Sequence, residues 1–314
     1  MDRVPVVDIG SPSDTSLDAL DEACADHGFF LLAGHGLDDL VDRTWEATRC
    51  FFGADRELKE SIRRTEDQAL GWFDRELTKR TRDHKEVFDF IDPELISDRP
   101  MNRWPAGLDG FEQAMRAFFD AFADLATRTT RLVHDTLGLD ADTADHCAGA
   151  RTSSTARLNY YTVGDPVPAD ERSGLNDLGP TALGAHTDPG VLTLLLQDDT
   201  GGLQTLDRSG EWIDVPPRPG TVVVNLGDTM QVRTNDRYRA SVHRVVPMTT
   251  TDRFSIPLFF NPRRDAIIEP LPELAGSEPA YRSFTWREFI NGRMQDNYAD
   301  IGEDDIQIGR YRVV

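Results

Sequence analysis

The sequence has little cysteine, no long apolar run and a shortage of basic residues. Its three cysteines, Cys24, Cys50 and Cys147, are odd in number and widely spaced, which argues against a disulfide framework or a zinc ribbon. We interpret all three as reduced thiols. No stretch of eighteen apolar residues occurs, so no membrane span is expected. The first residues lack an apolar signal core, and a cytoplasmic location is therefore the default expectation.

Charge restricts the class of partner. The chain has 34 basic and 55 acidic residues, a formal net charge of −21. Such a surface repels nucleic acid and anionic membranes, so neither is expected as a partner. No obligate protein partner is evident, and a small-molecule substrate is the remaining class. Against this acidic background a basic side chain directed inward would serve as an anion anchor, and Arg253 is the candidate.

The pattern of apolar residues along the sequence changes near residue 150. Residues 1–150 favour helices, with apolar positions at helical spacing in residues 41–52 and 111–125. Beyond Cys147, short segments rich in Val, Leu and Thr alternate with Gly, Pro and Asp, which is typical of a sandwich, jelly roll or barrel. Those predicted strands are 155–161, 191–197, 202–206, 221–226, 241–246 and 254–260. Helical periodicity returns at 285–294, and from its position alone the segment 164–180 is a candidate lid.

Two histidines and an aspartate form a candidate metal site. His186 and Asp188 are separated by one residue, and His243 follows far downstream. Two imidazoles and one carboxylate are the ligand set of the facial triad that holds non-haem Fe(II) and leaves positions open for substrate and O2. The alternative is a strand-end histidine, a turn aspartate and a core histidine.

A second pair of side chains follows the triad. Arg253 comes ten residues after His243, and Ser255 lies two residues further on, so both would share one face of a strand. The planar guanidinium matches a carboxylate with two parallel hydrogen bonds and remains charged when buried. The pair therefore predicts a site for a carboxylate.

Ordered motifs along nearly the whole chain carry a family resemblance. They are Val4-Pro5-Val6-Val7-Asp8, His27-Gly28-Phe29-Phe30 through Gly34-His35-Gly36, Asp83-His84-Lys85-Glu86-Val87-Phe88-Asp89, Asn102-Arg103-Trp104-Pro105, Arg157-Leu158-Asn159-Tyr160-Tyr161, His186-Thr187-Asp188, Gly201-Gly202-Leu203-Gln204, Asn225-Leu226-Gly227-Asp228, His243-Arg244-Val245 and Arg253-Phe254-Ser255. With them the sequence resembles the isopenicillin N synthase-like family of Fe(II)- and 2-oxoglutarate-dependent dioxygenases. The resemblance implies a mainly β fold with flanking helices. Residues 1–150 would be a helix-rich region packed on the core. Residues 151–314 would be a double-stranded β-helix, a cupin-like jelly roll, with a C-terminal helix, and the two would form one integrated catalytic unit.

The same resemblance implies the chemistry. Fe(II), 2-oxoglutarate and O2 would oxidise a C–H bond of a small organic substrate, most simply by hydroxylation, with release of succinate and CO2. Arg253 and Ser255 would hold the far carboxylate of 2-oxoglutarate. Asn159 and Tyr161 would lie near the cosubstrate, the alternative for Tyr161 being a residue that closes the barrel.

Three aromatic residues are candidates for the substrate pocket. Trp72, Phe73 and Phe88 fall in segments that often face substrate in the family. Packing of these rings between helices and barrel is the equally weighted alternative.

Two other functions remain open at this stage. Some relatives with the same Arg-x-Ser pair are Fe(II) oxidases that use no 2-oxoglutarate, and succinate release distinguishes the two reactions. A non-catalytic, cupin-like metal- or small-molecule-binding protein is the alternative of another class.

Overall fold

The computed structural model describes residues 4–10, 14–95, 101–298 and 307–313. The helices are α1 (Asp14–Asp26), α2 (Asp38–Phe52), α3 (Arg56–Ser61), α4 (Phe111–Thr136), α5 (Ala141–Cys147), α6 (Asp228–Arg233), α7 (Pro272–Ala275) and α8 (Trp286–Tyr298). The strands are β1 (Val6–Asp8), β2 (Phe29–Ala33), β3 (Gly71–Phe73), β4 (Leu77–Thr78), β5 (Thr81–Arg82), β6 (Lys85–Ile91), β7 (Thr155–Tyr161), β8 (Leu183–His186), β9 (Leu192–Gln197), β10 (Leu203–Leu206), β11 (Trp212–Asp214), β12 (Thr221–Leu226), β13 (His243–Val245), β14 (Arg253–Phe260), β15 (Ile267–Ile268) and β16 (Phe284–Thr285).

Two sheets form the core of the molecule. The large sheet has the order β1-β2-β12-β9-β14-β7-β6-β3, and the small sheet has the order β11-β10-β13-β8. Apolar side chains from both sheets pack against one another, including Phe29 and Val223 from the large sheet and Leu203 and Val245 from the small one. The mainly β architecture with flanking helices, expected from the sequence, is confirmed.

Helices cover the other face of the large sheet. The apolar residues of α4 that recur at helical spacing, among them Phe111, Met115 and Phe118, are all buried there with residues of α1 and α2. The helix ends at Thr136, two residues before Gly138, which adopts a φ of +68°. Glycine reaches this left-handed conformation without steric cost, so it commonly follows a helix.

Residues 71–91, for which no strand is predicted from the sequence, contribute β3 and β6 to the large sheet. Strand β6 pairs with β7 along seven consecutive residues and extends the large sheet. Its charged residues Lys85, Glu86 and Asp89 are buried together with the apolar ones. An alternation of exposed polar and buried apolar residues, the usual signal of a strand, is therefore missing.

The second half agrees closely with the sequence. Strands β7 and β12 have the predicted bounds, and α8 occupies the segment with helical periodicity. The segment 164–180 contains one short 3-10 helix, and Glu171 within it pairs with Arg56 and Arg75. No described residue of that segment lines the main cavity. Among the described residues, no helix is long and apolar enough to cross a membrane.

Candidate active site

The small sheet brings the three candidate metal ligands together. His186 ends β8 and lies opposite His243, the first residue of β13, in the antiparallel register. One carboxylate oxygen of Asp188, Oδ1, lies 3.7 Å from His186 Nε2 and 3.8 Å from His243 Nε2. The three residues can each direct one ligand atom to a common point, since these atoms lie within 4.8 Å of one another.

Hydrogen bonds from the ring nitrogens that face away from Asp188 orient the two candidate histidine ligands. His186 Nδ1 lies 2.7 Å from the carbonyl of Gly184, and His243 Nδ1 lies 3.1 Å from the carbonyl of Ser241. An Nδ1–H that donates to a carbonyl leaves the lone pair on Nε2, the nitrogen that faces Asp188. This tautomer is the one that a metal ion requires.

The second oxygen of Asp188 is held by the large sheet. Oδ2 accepts hydrogen bonds from Thr193 Oγ1 at 2.5 Å and from Asn225 Nδ2 at 2.8 Å, so Oδ1 is left for the centre of the site. Burial raises the pKa of Asp188, but His243, His186 and these two hydrogen bonds bring it below its usual range. The carboxyl is therefore ionised at neutral pH.

His186 is neutral at the same pH because of its surroundings. Burial, and then the neighbouring His243, lowers the pKa of His186 to about 3. A neutral imidazole and an ionised carboxylate are the protonation states in which these groups bind a metal ion.

Beside the three candidate metal ligands, the large sheet brings together the four residues of the predicted cosubstrate site. In the register of β14 against β7, Arg253 lies opposite Tyr161 and Ser255 lies opposite Asn159. All four side chains are buried, and they line the same cavity of about 680 Å³ as the three metal ligands. Asn159 donates to Ser255 Oγ at 3.3 Å, which leaves the serine hydroxyl free to donate elsewhere.

Arg253 is the unusual member of this group. Its side chain is fully buried, with its guanidinium carbon 4.9 Å from the centre of the Tyr161 ring. Nη2 donates to Gln197 at 3.4 Å, whereas Nε and Nη1 have no hydrogen-bond partner within the described part of the chain. Because a buried charged donor without a partner is costly, these two nitrogens fit an anionic carboxylate ligand.

Comparison with known proteins agrees with this geometry. The profile described as the 2OG-Fe(II) oxygenase superfamily matches residues 152–262, and a profile described as the N-terminal region of the non-haem dioxygenase in morphine synthesis matches residues 4–107. The 2-oxoglutarate-Fe(II) type oxidoreductase hxnY of Emericella nidulans is 32% identical over 88% of this chain and 83% of its own. The homoarginine-6-hydroxylase 2-ODD-233 of Oryza sativa is 31% identical over 89% of this chain and 88% of its own. The chain belongs to the 2-oxoglutarate–Fe(II) oxygenase superfamily.

A solved structure extends the agreement to the fold. The crystal structure of a full-length protein from Neurospora crassa in complex with alpha-KG, which is 2-oxoglutarate, superposes with a TM-score of 0.79 at 27% identity. The superposition covers 93% of this chain and 95% of that one. The expected double-stranded β-helix is confirmed.

The function expected from the sequence is confirmed at the level of reaction and cofactors. The protein is a 2-oxoglutarate-dependent non-haem iron oxygenase that uses Fe(II), 2-oxoglutarate and O2 to oxidise a small organic substrate. The comparisons support this function over the cosubstrate-independent oxidase and over the non-catalytic binding protein.

The C-terminal helix of the oxygenase reaches the metal-ligand segment through Arg293. Its Nη2 donates to the carbonyl of Thr187, the residue between two candidate ligands, at 2.6 Å. Its Nη1 lies 3.4 Å from Asp228 Oδ2, and the backbone amide of Asp228 donates to the carbonyl of Asp188 at 2.8 Å. Helix α8 therefore helps to hold the backbone that carries His186 and Asp188.

The three aromatic candidates for the substrate pocket do not line the cavity. Trp72 and Phe88 lie opposite each other in the β3–β6 pair and are fully buried in the core between sheet and helices. Side chains alternate between the faces of a strand, and these two point to the helix side. Trp72 and Phe88 therefore pack between the helices and the sheet, which was the alternative to a role in the substrate pocket. Phe73 points to the other face, where it supports the guanidinium of Arg64 at 4.6 Å.

Sequence reasoning missed the charged residues that line the cavity instead. Arg157 precedes Asn159 and Tyr161 by two and four residues, so strand alternation alone could have placed it on the same face. Asp89 lies opposite Arg157 in the β6–β7 register, and it was missed because β6 was missed. Arg64 and Glu76 come from irregular segments, which carry no periodic signal.

Proposed function

We propose that the oxygenase hydroxylates a C–H bond of a small polar molecule, with His186, Asp188 and His243 as the Fe(II) ligands. The observation that carries this assignment is the convergence of His186 Nε2, His243 Nε2 and Asp188 Oδ1, each with its other polar atom engaged by a hydrogen bond. Iron held in this way supplies O2 activation coupled to oxidative decarboxylation of 2-oxoglutarate.

Arg253 and Ser255 bind the far carboxylate of 2-oxoglutarate in this proposal. The support is the pair of guanidinium nitrogens on Arg253 that have no hydrogen-bond partner among the described residues, and the Ser255 hydroxyl, which accepts from Asn159 and can donate to a ligand. Asn159 orients Ser255 through their hydrogen bond, and Tyr161 keeps the guanidinium in place by stacking under it. The chain thus orients the cosubstrate, and the buried walls exclude water from it.

The remaining assignments concern partners, compartment and organisation. An acidic chain whose candidate site lies inside a cavity suits a small-molecule substrate, without nucleic acid, membrane or obligate protein partner. Three free cysteines, of which Cys24 and Cys147 are buried, suit the cytoplasm. We treat residues 1–150 and 151–314 as one catalytic unit, because the large sheet takes four strands from each part.

Succinate release tests the proposed function. The purified enzyme is incubated with Fe(II), ascorbate and 2-oxoglutarate in air, and succinate is measured with and without candidate substrates. We expect slow succinate formation without substrate, acceleration by substrate, and stoichiometric hydroxylated product. The variant His186→Ala is expected to form no succinate in either case. Product formation without any succinate would contradict the proposal and favour the cosubstrate-independent oxidase.

A further inference from the structure

A closed set of ion pairs lines the cavity on the wall formed by β6 and β7. Arg157 donates to both oxygens of Asp89, at 2.6 and 2.8 Å, and to Glu76 Oε2 at 2.9 Å. Arg64 donates to Asp89 Oδ2 at 2.9 Å and also pairs with Glu76. We call these four residues, Arg64, Glu76, Asp89 and Arg157, the ionic ring.

The ionic ring belongs to the same cavity as the metal ligands. All four of its members line that cavity together with His186, Asp188 and His243. Their side chains are 5% to 20% exposed, and the two arginines are the more exposed members. The ring is therefore shielded from bulk water yet accessible to a molecule that fills the cavity.

Stability alone is a poor explanation for the ring. Removing two carboxylates and two guanidinium groups from water costs free energy that their mutual attraction recovers only in part, and apolar residues of similar volume often replace such groups without loss. The opposite face of the same two strands is mostly apolar, with Phe88, Phe90, Ala156 and Leu158 in the core. That face also carries Glu86, which is buried and pairs with Lys59 at 2.8 Å, whereas Lys85, Asp89 and Arg157 lie on the face that meets the cavity.

The balance of charge in the ring indicates what it would bind. Two positive and two negative groups cancel, and the neighbouring pair Lys85 and Asp83, 3.5 Å apart in the same cavity, cancels as well. A ligand with a single charge would bring an uncompensated charge into this buried wall. A ligand that carries both charges would not, because its carboxylate can lie against Arg64 or Arg157 while its ammonium group lies against Glu76 or Asp89.

We propose that the ionic ring binds the head group of a zwitterionic substrate of the α-amino acid class. Across the cavity, α8 offers apolar contacts for the rest of such a molecule from Trp286, Ile290 and Met294, and its charged residues on that wall are Arg287, Arg293 and Asp296. This inference rests on the proposed function, because the ring is assigned to the substrate of that reaction.

The test compares three charge forms of one set of molecules. Free α-amino acids are zwitterions at neutral pH, their N-acetyl derivatives are anions and their methyl esters are cations. The readout is the initial rate of succinate formation above the substrate-free rate, measured with holoenzyme over a panel of side chains. We expect the best free amino acid to have a specificity at least about tenfold above that of either derivative, as expected for loss of one charge-assisted hydrogen bond.

Substitutions in the ring should change this preference in opposite directions. Asp89→Asn leaves the ring with one excess positive charge, so the N-acetyl derivative should gain relative to the free amino acid. Arg64→Gln leaves one excess negative charge, so the methyl ester should gain. Either variant alone decides the question if the other does not fold.

The matched control is Asp92→Asn. Asp92 directly follows β6 and, like Asp89, forms two hydrogen bonds with one arginine, here Arg151 at 2.7 and 2.8 Å, but neither Asp92 nor Arg151 lines the cavity. We expect this variant to lose thermal stability while it keeps the wild-type preference. A ring with a merely structural role would give that same result for Asp89→Asn and Arg64→Gln.

The outcomes separate this inference from the proposed function. Preference for a singly charged form in the wild type, no stimulation by any free amino acid, or an unchanged preference in both ring variants would overturn the inference. In each of those cases substrate-free succinate formation would still support the proposed function. Absence of succinate under all conditions would overturn the proposed function itself.

Discussion

Two arginines line the same cavity from neighbouring strands, but their surroundings differ. Arg157 on β7 donates to the carboxylates of Asp89 and Glu76, so its charge is compensated by the protein. Arg253 on β14 is fully buried, and the only side-chain acceptor of its hydrogen bonds among the described residues is the neutral Gln197. A buried cation without a carboxylate is unfavourable until an anion binds. The cosubstrate end of the cavity is therefore prepared for a net negative ligand, whereas the β6 end is prepared for a ligand without net charge.

The largest expected effect comes from removing a metal ligand, because the proposed cosubstrate binds both to the metal and to Arg253. In His243→Ala, the site loses an imidazole that Ser241 holds in the metal-binding tautomer. We expect Fe(II) affinity to fall by more than the roughly 10–100-fold that loss of an outer hydrogen-bond partner costs, and succinate formation to disappear. Equilibrium dialysis with Fe(II) measures the first effect, and retained iron with full activity would contradict the assignment.

The second prediction compares the effects of replacing Arg253 and Arg157 on 2-oxoglutarate binding. Arg253→Gln removes the charge that would pair with 2-oxoglutarate, so its dissociation constant should rise by about 10–150-fold, the equivalent of a charged hydrogen bond. Arg157→Gln should leave that constant within about threefold of the wild type, since Arg157 contacts protein carboxylates. Anaerobic titration of the Fe(II)-loaded variants with 2-oxoglutarate measures both. An equal rise of the 2-oxoglutarate dissociation constant in both variants would contradict the distinction between the cosubstrate end and the β6 end of the cavity.

The third prediction concerns the hydrogen bonds that hold Asp188. Asn225→Ala removes the bond of 2.8 Å to Asp188 Oδ2, so the carboxylate becomes less well oriented and Fe(II) affinity should fall by roughly 10–100-fold. The matched control is Thr205→Val, because Thr205 is equally buried and lies opposite His243 but makes its hydrogen bond to the backbone of Val242. Equal iron affinity in wild type and Asn225→Ala would show that the orientation of Asp188 does not depend on this contact.

The smallest expected effect concerns His134, which does not line the cavity. It provides a baseline for the pH dependence of stability. Burial, and then the charge of Arg233, lowers the pKa of His134 in α4 to about 4. The unfolded chain, with a pKa near 6.5, binds a proton that the folded chain does not. This contribution to stability is complete above about pH 6.5 and is lost as the pH falls towards 4, by about 1 kcal/mol at about pH 5.5.

Denaturant titrations at about pH 7.5 and about pH 5.5 measure that loss. The variant His134→Leu should lose about 1 kcal/mol less stability between the two conditions than the wild type does. The exposed His146, replaced by Gln, is the control and should behave as the wild type. An unchanged pH dependence in His134→Leu would mean that this histidine is not held neutral by the fold.

The sequence predicted the site better than it predicted the cavity around it. His186, His243, Arg253 and Ser255 belong to short motifs on strands, where residue spacing determines which side chains share a face, and Asp188 follows two residues after the end of β8. Their neighbours across the sheet follow from the strand register. For residues on a strand, the spacing in the sequence is therefore enough to predict which side chains lie together.

The charged wall of the cavity could not be predicted from residue spacing. Strand β6 buries charged residues on the face where a periodic pattern would show apolar ones, so the sequence did not predict a strand there. Arg64 and Glu76 meet Asp89 only because chain segments far apart in sequence fold together. For Trp72, the aromatic residue type indicated burial correctly but not which side of the sheet would bury it.

The most direct test of the central claim is an anaerobic spectrum of the Fe(II)-loaded protein as 2-oxoglutarate is added. Chelation of iron by the cosubstrate produces a visible metal-to-ligand charge-transfer band. We predict that this band appears in the wild type, is absent in His186→Ala, and requires far higher 2-oxoglutarate concentrations in Arg253→Gln. Iron binding without the band, or a band whose 2-oxoglutarate dependence is the same in Arg253→Gln, would contradict the account.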